Sequence, residues 1–136
     1  MNEKLITGAL NVLGNSYAPY SGFHVAAAVL TDKGNIYTGV NVENASYPAG
    51  ICAECSAVAK AVSSGEKHIR SIAIVGKDKD GNDSGYVSPC GICRQVLREF
   101  SDPDKLKVIM AKSVSDYKEM TLEELLPVSF GPEYLK

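Results

Sequence analysis

The four cysteines constrain this chain more than any other feature, because they form two Cys-x-x-Cys pairs. The first pair is Cys52 with Cys55, and the second is Cys90 with Cys93. A single cysteine is most often a small buried apolar side chain, but two pairs at this spacing are typical of metal or redox sites in proteins without disulfides. A thioredoxin-like redox motif would explain only one of the pairs. We therefore predict a metal site, and thiolates at this spacing favour zinc.

Length and charge restrict the class of protein. The 136 residues, 45% hydrophobic and 22% charged, suit one globular domain over residues 1–136. The formal net charge is −2, and the sequence shows no cluster of basic residues. Both observations argue against a protein that binds the phosphate backbone of DNA or RNA. No apolar run is long enough to span a membrane, and the first residues do not resemble a signal peptide. We expect a cytoplasmic protein that acts on small polar molecules, with neither a nucleic-acid polymer nor a membrane as partner.

Hydrophobic periodicity predicts alternating helices and strands. Four helices are predicted. The first covers residues 3–13, the second begins near Cys52, and the third begins after Pro89. The fourth is a short helix that begins with a capping box of Thr121 and Glu124. Strands are predicted over residues 25–30, 36–42, 71–76 and 106–111. On the helix after Pro89, the side chains of Ile92, Val96 and Phe100 share one face. This order predicts an α/β domain with helices packed on a central sheet.

The number of cysteines that bind the metal decides between two kinds of protein. If all four bind, the zinc is structural and the chain is a non-catalytic module. If three bind, the fourth position holds a water whose pKa zinc lowers to about 7, so that hydroxide is available at neutral pH. Glu54 lies two positions after Cys52, at a predicted helix start, where a carboxylate would accept a proton from that water. Taken alone, a glutamate at this position is more often explained by its favourable interaction with the helix dipole.

Short motifs in a characteristic order run nearly the whole length of the chain. Cys52-Ala53-Glu54 is separated by thirty-four residues from Pro89-Cys90-Gly91-Ile92-Cys93-Arg94-Gln95. The other motifs are Ser16-Tyr17-Ala18-Pro19-Tyr20-Ser21, Asn41-Val42-Glu43-Asn44-Ala45, Leu125-Leu126-Pro127 and Ser129-Phe130-Gly131-Pro132-Glu133. The first two together match the zinc-deaminase signature in its three-cysteine form. The whole set resembles the small, homotetrameric, zinc-dependent cytidine deaminases.

This resemblance implies a fold, a cofactor and a reaction. The fold is a three-layer α-β-α sandwich with a mixed central sheet of about five strands. The cofactor is one Zn²⁺ per subunit, and the reaction is the hydrolytic deamination of cytidine and deoxycytidine to uridine and deoxyuridine, with release of ammonia, in pyrimidine salvage. The resemblance also implies a homotetramer whose subunits share active sites.

The resemblance implies a role for each of several residues. Cys52, Cys90 and Cys93 are the expected zinc ligands, which leaves one coordination position for water. Glu54 is the expected proton shuttle between the water, the pyrimidine ring and the leaving ammonia, a role that typically contributes about two to four powers of ten in rate. The backbone N–H of Ala53 is expected to meet the ring carbonyl, and the carbonyl of Ser88 to accept a hydrogen bond from the exocyclic amine.

Other residues are expected to bind the nucleoside. Asn41 and Glu43 suit the ribose, since an amide and a carboxylate together both donate to and accept from a hydroxyl; an ordinary polar strand end is their alternative. Phe23 would pack on the base or the sugar, with plain core packing as its alternative. Ala45, Tyr47 and Phe130 are expected to reach the nucleoside of a neighbouring subunit. Tyr20 and Tyr47 are interpreted as interface aromatics and not as catalysts.

One position departs from the family pattern. The residue after the catalytic glutamate is commonly an arginine that hydrogen-bonds the ligand thiolates, and here it is Cys55. The change leaves open a closed four-cysteine zinc module, although the ribose-type motif from Asn41 to Asn44 would have no use there. We expect Cys55 beside the ligands, not on the metal, and Arg94 either hydrogen-bonded to a thiolate or solvated. A deaminase of another aminopyrimidine nucleoside, such as blasticidin S, is the alternative enzyme.

Overall fold

A single mixed sheet of five strands forms the centre of the molecule. The structure is a computed structural model that describes residues 1–136. The strands are β1 (His24–Thr31), β2 (Ile36–Val40), β3 (Ile69–Lys77), β4 (Lys107–Ala111) and β5 (Tyr117–Thr121). Their order in the sheet is β2-β1-β3-β4-β5. Only β3 and β4 are parallel, whereas β1 pairs antiparallel with both β2 and β3, and β5 pairs antiparallel with β4.

The three central strands are buried on both faces, as their continuous apolar sequences require. In β1, Val25, Ala27 and Val29 belong to one core cluster, while Ala26, Ala28 and Leu30 belong to the other. The same alternation holds in β3 and β4, because successive side chains of a strand point to opposite faces. The sheet therefore separates two apolar layers and needs helices on both sides.

Four helices cover the two faces. They are α1 (Asn2–Val12), α2 (Ala53–Ser63), α3 (Gly91–Glu99) and α4 (Leu122–Leu125). Helix α1 covers one face with Leu5, Ile6 and Ala9, all fully buried. The other three helices cover the opposite face, where Leu97 of α3 and Leu122 of α4 belong to the same core cluster as Val25 of β1. The predicted α-β-α sandwich with a mixed five-stranded sheet is confirmed.

Helix α2 lies unusually close to β2, and this contact sets the position of its first turn. A Cβ atom placed on Gly39 would overlap the backbone nitrogen of Ala57 and would come within 2.8 Å of the backbone of Ser56. The helix face toward the sheet carries the small residues Ala53, Ala57 and Ala61, none of which is exposed. Small side chains on the helix and a glycine on the strand therefore let the two backbones approach. This contact places the start of α2 near the C-terminal end of β2.

Three details differ from the sequence predictions. The individual strand β5 was not predicted, because its sequence, Tyr-Lys-Glu-Met-Thr, is polar and it forms an exposed edge of the sheet. The second strand ends at Val40 and not at residue 42. Ile92 does not share a buried face, since 74% of its surface is exposed and Cys93 and Leu97 turn inward instead. None of the four helices has the length and apolar character that crossing a membrane would require.

Candidate active site and metal centre

The first residues of α2 and α3 meet at one end of the sheet and bring the two cysteine pairs together. Cys52 is the N-cap of α2 and Cys90 is the N-cap of α3, and neither helix has a side chain that caps its first N–H groups. Free N–H groups at two helix starts give this region a positive potential. Such a potential favours thiolates over thiols, although burial opposes it at Cys52 and Cys93.

Three sulfur atoms form a compact group that suits one metal ion. The Sγ atoms of Cys52, Cys90 and Cys93 all lie within 4.8 Å of one another, and those of Cys90 and Cys93 are 3.6 Å apart. In a tetrahedral site, zinc–sulfur bonds of about 2.3 Å place neighbouring sulfurs roughly 3.8 Å apart. The cluster therefore fits zinc with three thiolate ligands.

The fourth cysteine lies beside this group and not within it. The sulfur of Cys55 is 3.6 Å from that of Cys93, but Cys55 is not part of the set whose sulfurs lie within 4.8 Å of one another. Cys55 is half-buried in the first turn of α2. Its position agrees with a thiol next to one ligand sulfur, and the closed four-cysteine arrangement is not formed.

The pKa values of the three thiols show how the protein alone affects their ionisation. Burial raises the pKa of the Cys52 thiol to about 11. Burial also raises the pKa of Cys93, and the nearby charge of Glu54 adds to the effect. At Cys90 burial acts in the same direction, but hydrogen bonds from the backbone of Cys93 and Ile92 outweigh it and lower the pKa. Three thiolates this close repel one another, so a divalent cation is required to hold all three ionised.

Glu54 is the buried carboxyl group next to the cluster. It lies in the first turn of α2 and is only 5% exposed. Burial raises its pKa, and a hydrogen bond with Cys93 partly offsets this effect. A buried carboxyl group with a raised pKa beside a metal site is typical of a catalytic acid or base. The position and environment of Glu54 therefore suit a proton carrier.

An open cleft of about 540 Å³ leads to Cys52. It is lined by Tyr20, Ser21, Asn41, Val42, Glu43, Asn44, Tyr47, Gly50, Ile51 and Cys52. Its size lies within the roughly 300–1,000 Å³ of small-molecule sites. Four residues predicted for the site, Asn41, Glu43, Tyr47 and Cys52, thus share one cleft, whereas Phe23, Ala45 and Phe130 do not line it.

Asn41 connects two parts of the loop that precedes β1 to the start of that strand. Its Oδ1 accepts hydrogen bonds from the hydroxyl of Ser16 and, at 3.0 Å, from the backbone N–H of Val25. Its Nδ2 donates to the carbonyl of Phe23 at 2.8 Å. Because Nδ2 carries two hydrogens, one donor of Asn41 remains free. The residue therefore fixes the cleft wall and keeps one N–H for a ligand.

Glu43 fixes the turn at Tyr20 and Ser21, which forms another part of the cleft wall. Its Oε1 accepts hydrogen bonds from the backbone N–H groups of Tyr20 and Ser21, at 3.0 and 3.1 Å, and its Oε2 accepts one from the Ser21 hydroxyl. These bonds, first of all that from the Ser21 hydroxyl, lower the pKa of Glu43. The cleft therefore presents an ionised carboxylate with spare lone pairs. Sequence reasoning did not assign Ser21 a part in the site; the only signal was its place at the end of the Ser16–Ser21 motif.

The remaining predicted residues lie around the cluster or on the surface. Ala53 is fully buried at the start of α2, and Ser88 is exposed two residues before Cys90. Phe23 is 39% exposed, with its ring close to Gly76 of β3. Ala45 is exposed, and Phe130 is 56% exposed.

Arg94 does not hydrogen-bond a thiolate, and it is not simply solvated. Its Nε donates to the carbonyl of Pro89 at 2.8 Å, and its Nη1 donates to the carbonyl of Leu125 at 2.7 Å. The guanidinium therefore holds the turn before Cys90 against the end of α4. Neither of the two settings expected for Arg94, a thiolate bond or simple solvation, describes its position, because its guanidinium bonds backbone carbonyls.

Comparison with known proteins decides the family. Residues 1–110 match the model for the cytidine and deoxycytidylate deaminase zinc-binding region. The chain belongs to this deaminase family. Its membership confirms the predicted enzyme class and identifies zinc as the metal of the cysteine cluster.

Relatives of this deaminase cover almost its whole length. It is 41% identical over 133 residues to a cytidine deaminase of Sporosarcina psychrophila, which covers 98% of this chain and 93% of that protein. It is equally identical to a probable cytidine deaminase of Dictyostelium discoideum, over 98% of this chain and 86% of that protein. The crystal structure of a cytidine deaminase from Burkholderia pseudomallei superimposes with a TM-score of 0.85 at 37% identity, over 96% of this chain and 99% of that one.

Proposed function

We propose that this chain catalyses the hydrolytic deamination of cytidine and deoxycytidine to uridine and deoxyuridine, with release of ammonia. The observation that carries the proposal is a buried glutamate, Glu54, beside three cysteine sulfurs that lie within 4.8 Å of one another. The 41% identity to a cytidine deaminase over 98% of the chain supports the same substrate. The catalytic unit in this proposal is one domain over residues 1–136.

The cysteine ligands and Glu54 divide the chemistry between them. Cys52, Cys90 and Cys93 hold the zinc ion, which when bound supplies a water that is acidic enough to ionise near pH 7. As the water oxygen bonds to the amine-bearing carbon, the carboxylate of Glu54 accepts one proton from the water and donates it to the ring nitrogen beside the amine. It then accepts the second proton, from the hydroxyl group now on that carbon, and delivers it to the amine, which leaves as ammonia as the carbon–nitrogen bond breaks and the ring carbonyl forms. Burial of Glu54 beside the cluster, which raises its pKa, suits this carboxyl group to acid–base catalysis.

Neutral backbone groups orient the base in this proposal. The N–H of Ala53, in the first turn of α2, donates to the ring carbonyl. The carbonyl of Ser88 accepts a hydrogen bond from the exocyclic amine, and Pro89 restricts the direction in which that carbonyl points. Arg94 supports this turn through its hydrogen bond to the carbonyl of Pro89. This hydrogen bond distinguishes cytosine from uracil. Uracil carries a carbonyl oxygen in place of the amine, and that oxygen cannot donate a hydrogen bond to the carbonyl of Ser88.

The cleft residues bind the sugar. Asn41 offers its free N–H and Glu43 its carboxylate to the ribose hydroxyls, and both side chains are held in place by the loop from Ser16 to Phe23. Phe23 packs on the base or sugar, and Ala45, Tyr47 and Phe130 contact the nucleoside of a neighbouring subunit. In support of an interface, Tyr20 and Tyr47 form an exposed edge-to-face pair with ring centroids 6.2 Å apart.

We further propose that the enzyme is a homotetramer that works in pyrimidine salvage in the cytoplasm. Exposed aromatic side chains around the cleft favour association of copies, since such patches mark interfaces. The four cysteines are unpaired, as is usual in a reducing compartment. A net charge of −2 favours free nucleosides over nucleic-acid strands.

The test is a substrate comparison on one purified sample whose zinc content is also measured. Cytidine and deoxycytidine should give uridine or deoxyuridine and ammonia in equal amounts, with one zinc per chain. Single-stranded oligonucleotides should be poor substrates. Faster turnover of blasticidin S or of an oligonucleotide than of cytidine, or full zinc loading without any turnover, would contradict the proposal.

A further inference from the structure

A buried arginine outside the cleft fastens the C-terminal segment to α3. Arg98 is only 8% exposed. Its Nε donates to the hydroxyl of Ser129 at 2.7 Å, and its Nη2 forms an ion pair with the carboxylate of Glu133. The pKa of Glu133 is lowered, first by a hydrogen bond from its own backbone N–H and then by Arg98. Arg98 thus holds the segment at two points on either side of Phe130.

Gly131 lies flat against the same guanidinium group. A Cβ atom placed on Gly131 would overlap the central carbon and the terminal nitrogens of Arg98. The backbone of Gly131 is extended, with φ −142° and ψ 178°, a conformation that any residue adopts. A larger residue at this position would therefore displace the guanidinium, and the reason is space and not backbone conformation.

The segment is held in a conformation that it would not adopt unsupported. Val128 has a φ of 51° and is fully exposed. This left-handed conformation is unfavourable for a β-branched side chain and persists only where neighbouring contacts impose it. Those contacts are the Arg98 bond to Ser129 and a hydrogen bond of 2.9 Å from the Gln95 side chain to the carbonyl of Phe130.

We propose that Arg98 is a positioning residue that fixes the ring of Phe130 for the substrate. The ring is 56% exposed and stacks on Tyr134 with centroids 5.1 Å apart. This inference rests on the proposed function, in which Phe130 contacts the nucleoside in a neighbouring subunit. Arg98 does not line the cleft and is not one of the metal-binding residues, so its effect on the reaction passes through the segment that it holds.

A double-mutant cycle between Arg98 and Gly131 tests the contact. Arg98→Leu and Gly131→Ala should each raise the KM for cytidine by about tenfold with little change in kcat, because a loosened aromatic contact weakens substrate and transition state alike. The double variant should resemble Arg98→Leu, since the overlap disappears with the guanidinium. Arg98→Lys should restore part of the affinity through the Glu133 pair. Independent, multiplicative effects of the two substitutions would overturn the proposal.

Hydrogen exchange on the zinc-loaded, full-length protein separates this inference from the proposed function. Arg98→Leu should speed exchange in residues 127–136 and leave both exchange in α2 and the zinc content unchanged. Arg70→Leu removes an exposed arginine on β3 and should change neither exchange nor KM. Unaltered exchange in Arg98→Leu would overturn the positioning role. Faster exchange with an unchanged KM for cytidine would show that Arg98 holds the segment without affecting substrate binding, which would overturn the proposal. If Phe130→Ala also had a normal KM, the error would lie in the proposed contact between Phe130 and the nucleoside.

Discussion

At the scale of single residues, Cys55 is where this chain departs from the family pattern, and its sulfur touches one ligand without joining the group of three. Cys55→Ala is therefore expected to keep one zinc per chain and most of the activity, whereas Cys52→Ala should lose both. Cys55→Arg should also be tolerated, because the family commonly places arginine there. Metal analysis and cytidine turnover measured on the same samples check this prediction. Zinc loss from Cys55→Ala with zinc kept by Cys52→Ala would reverse the ligand assignment.

Glu66 provides a residue-scale prediction about stability. It is 5% exposed, and hydrogen bonds from Thr31, Tyr37 and Asn35 lower its pKa below the ordinary value of 4.5. A depressed folded-state pKa stabilises the protein above the unfolded-state pKa, and that contribution is lost as the pH falls through the folded value. The difference in unfolding free energy between wild type and Glu66→Gln, from urea titrations, should thus be largest near neutral pH and shrink below pH 4.5. A pH-independent difference would contradict this explanation.

At the scale of elements, the contact between α2 and β2 positions the metal site. Gly39→Ala should destabilise the protein by about 1–3 kcal/mol, because the added methyl group overlaps the backbone of α2. Displacement of α2 should also weaken zinc retention, since Cys52 is its N-cap. Gly14→Ala is the matched control, because nothing lies within 4 Å of a Cβ there. Urea unfolding and zinc competition with a chelator measure both effects, and equal stability of the two variants would refute the close contact.

The elements also show how far the sequence allows prediction. The central strands were predictable, because burial on both faces is a local pattern. The two Cys-x-x-Cys pairs predicted that thiols would cluster, whereas the choice of Cys52, Cys90 and Cys93 as ligands came from the family resemblance and stays a prediction. Strand β5 was not individually predictable, since its polar sequence forms a strand only by pairing with β4. The hydrogen bonds of Asn41 and Arg94 depend on where distant backbone carbonyls lie, namely those of Phe23 and Leu125. Such partners are fixed by the fold and leave no local sequence signal.

At the scale of the whole molecule, shared active sites predict complementation between a variant that lacks the proton carrier and a variant that binds cytidine weakly. Sedimentation at assay concentration should show a tetramer. Assayed at cytidine concentrations below the wild-type KM, mixed tetramers of Glu54→Gln and Phe130→Ala should be more active than the average of the two variants, because a site with an intact Glu54 can take an intact Phe130 from its neighbour. Each variant alone, carried through the same dissociation and mixing, is the control. An active monomer, or mixtures no more active than the average of their components, would show that sites are not shared.

The most direct test of the account is the rate of cytidine deamination by Glu54→Gln compared with wild type at equal zinc content. The amide has the shape of the carboxyl group but accepts no proton, and Glu54 is not one of the zinc-binding residues. We therefore expect a folded protein with one zinc per chain and a kcat lower by about two to four powers of ten. Near-normal turnover by the zinc-loaded variant would contradict the assignment of Glu54 as the proton carrier.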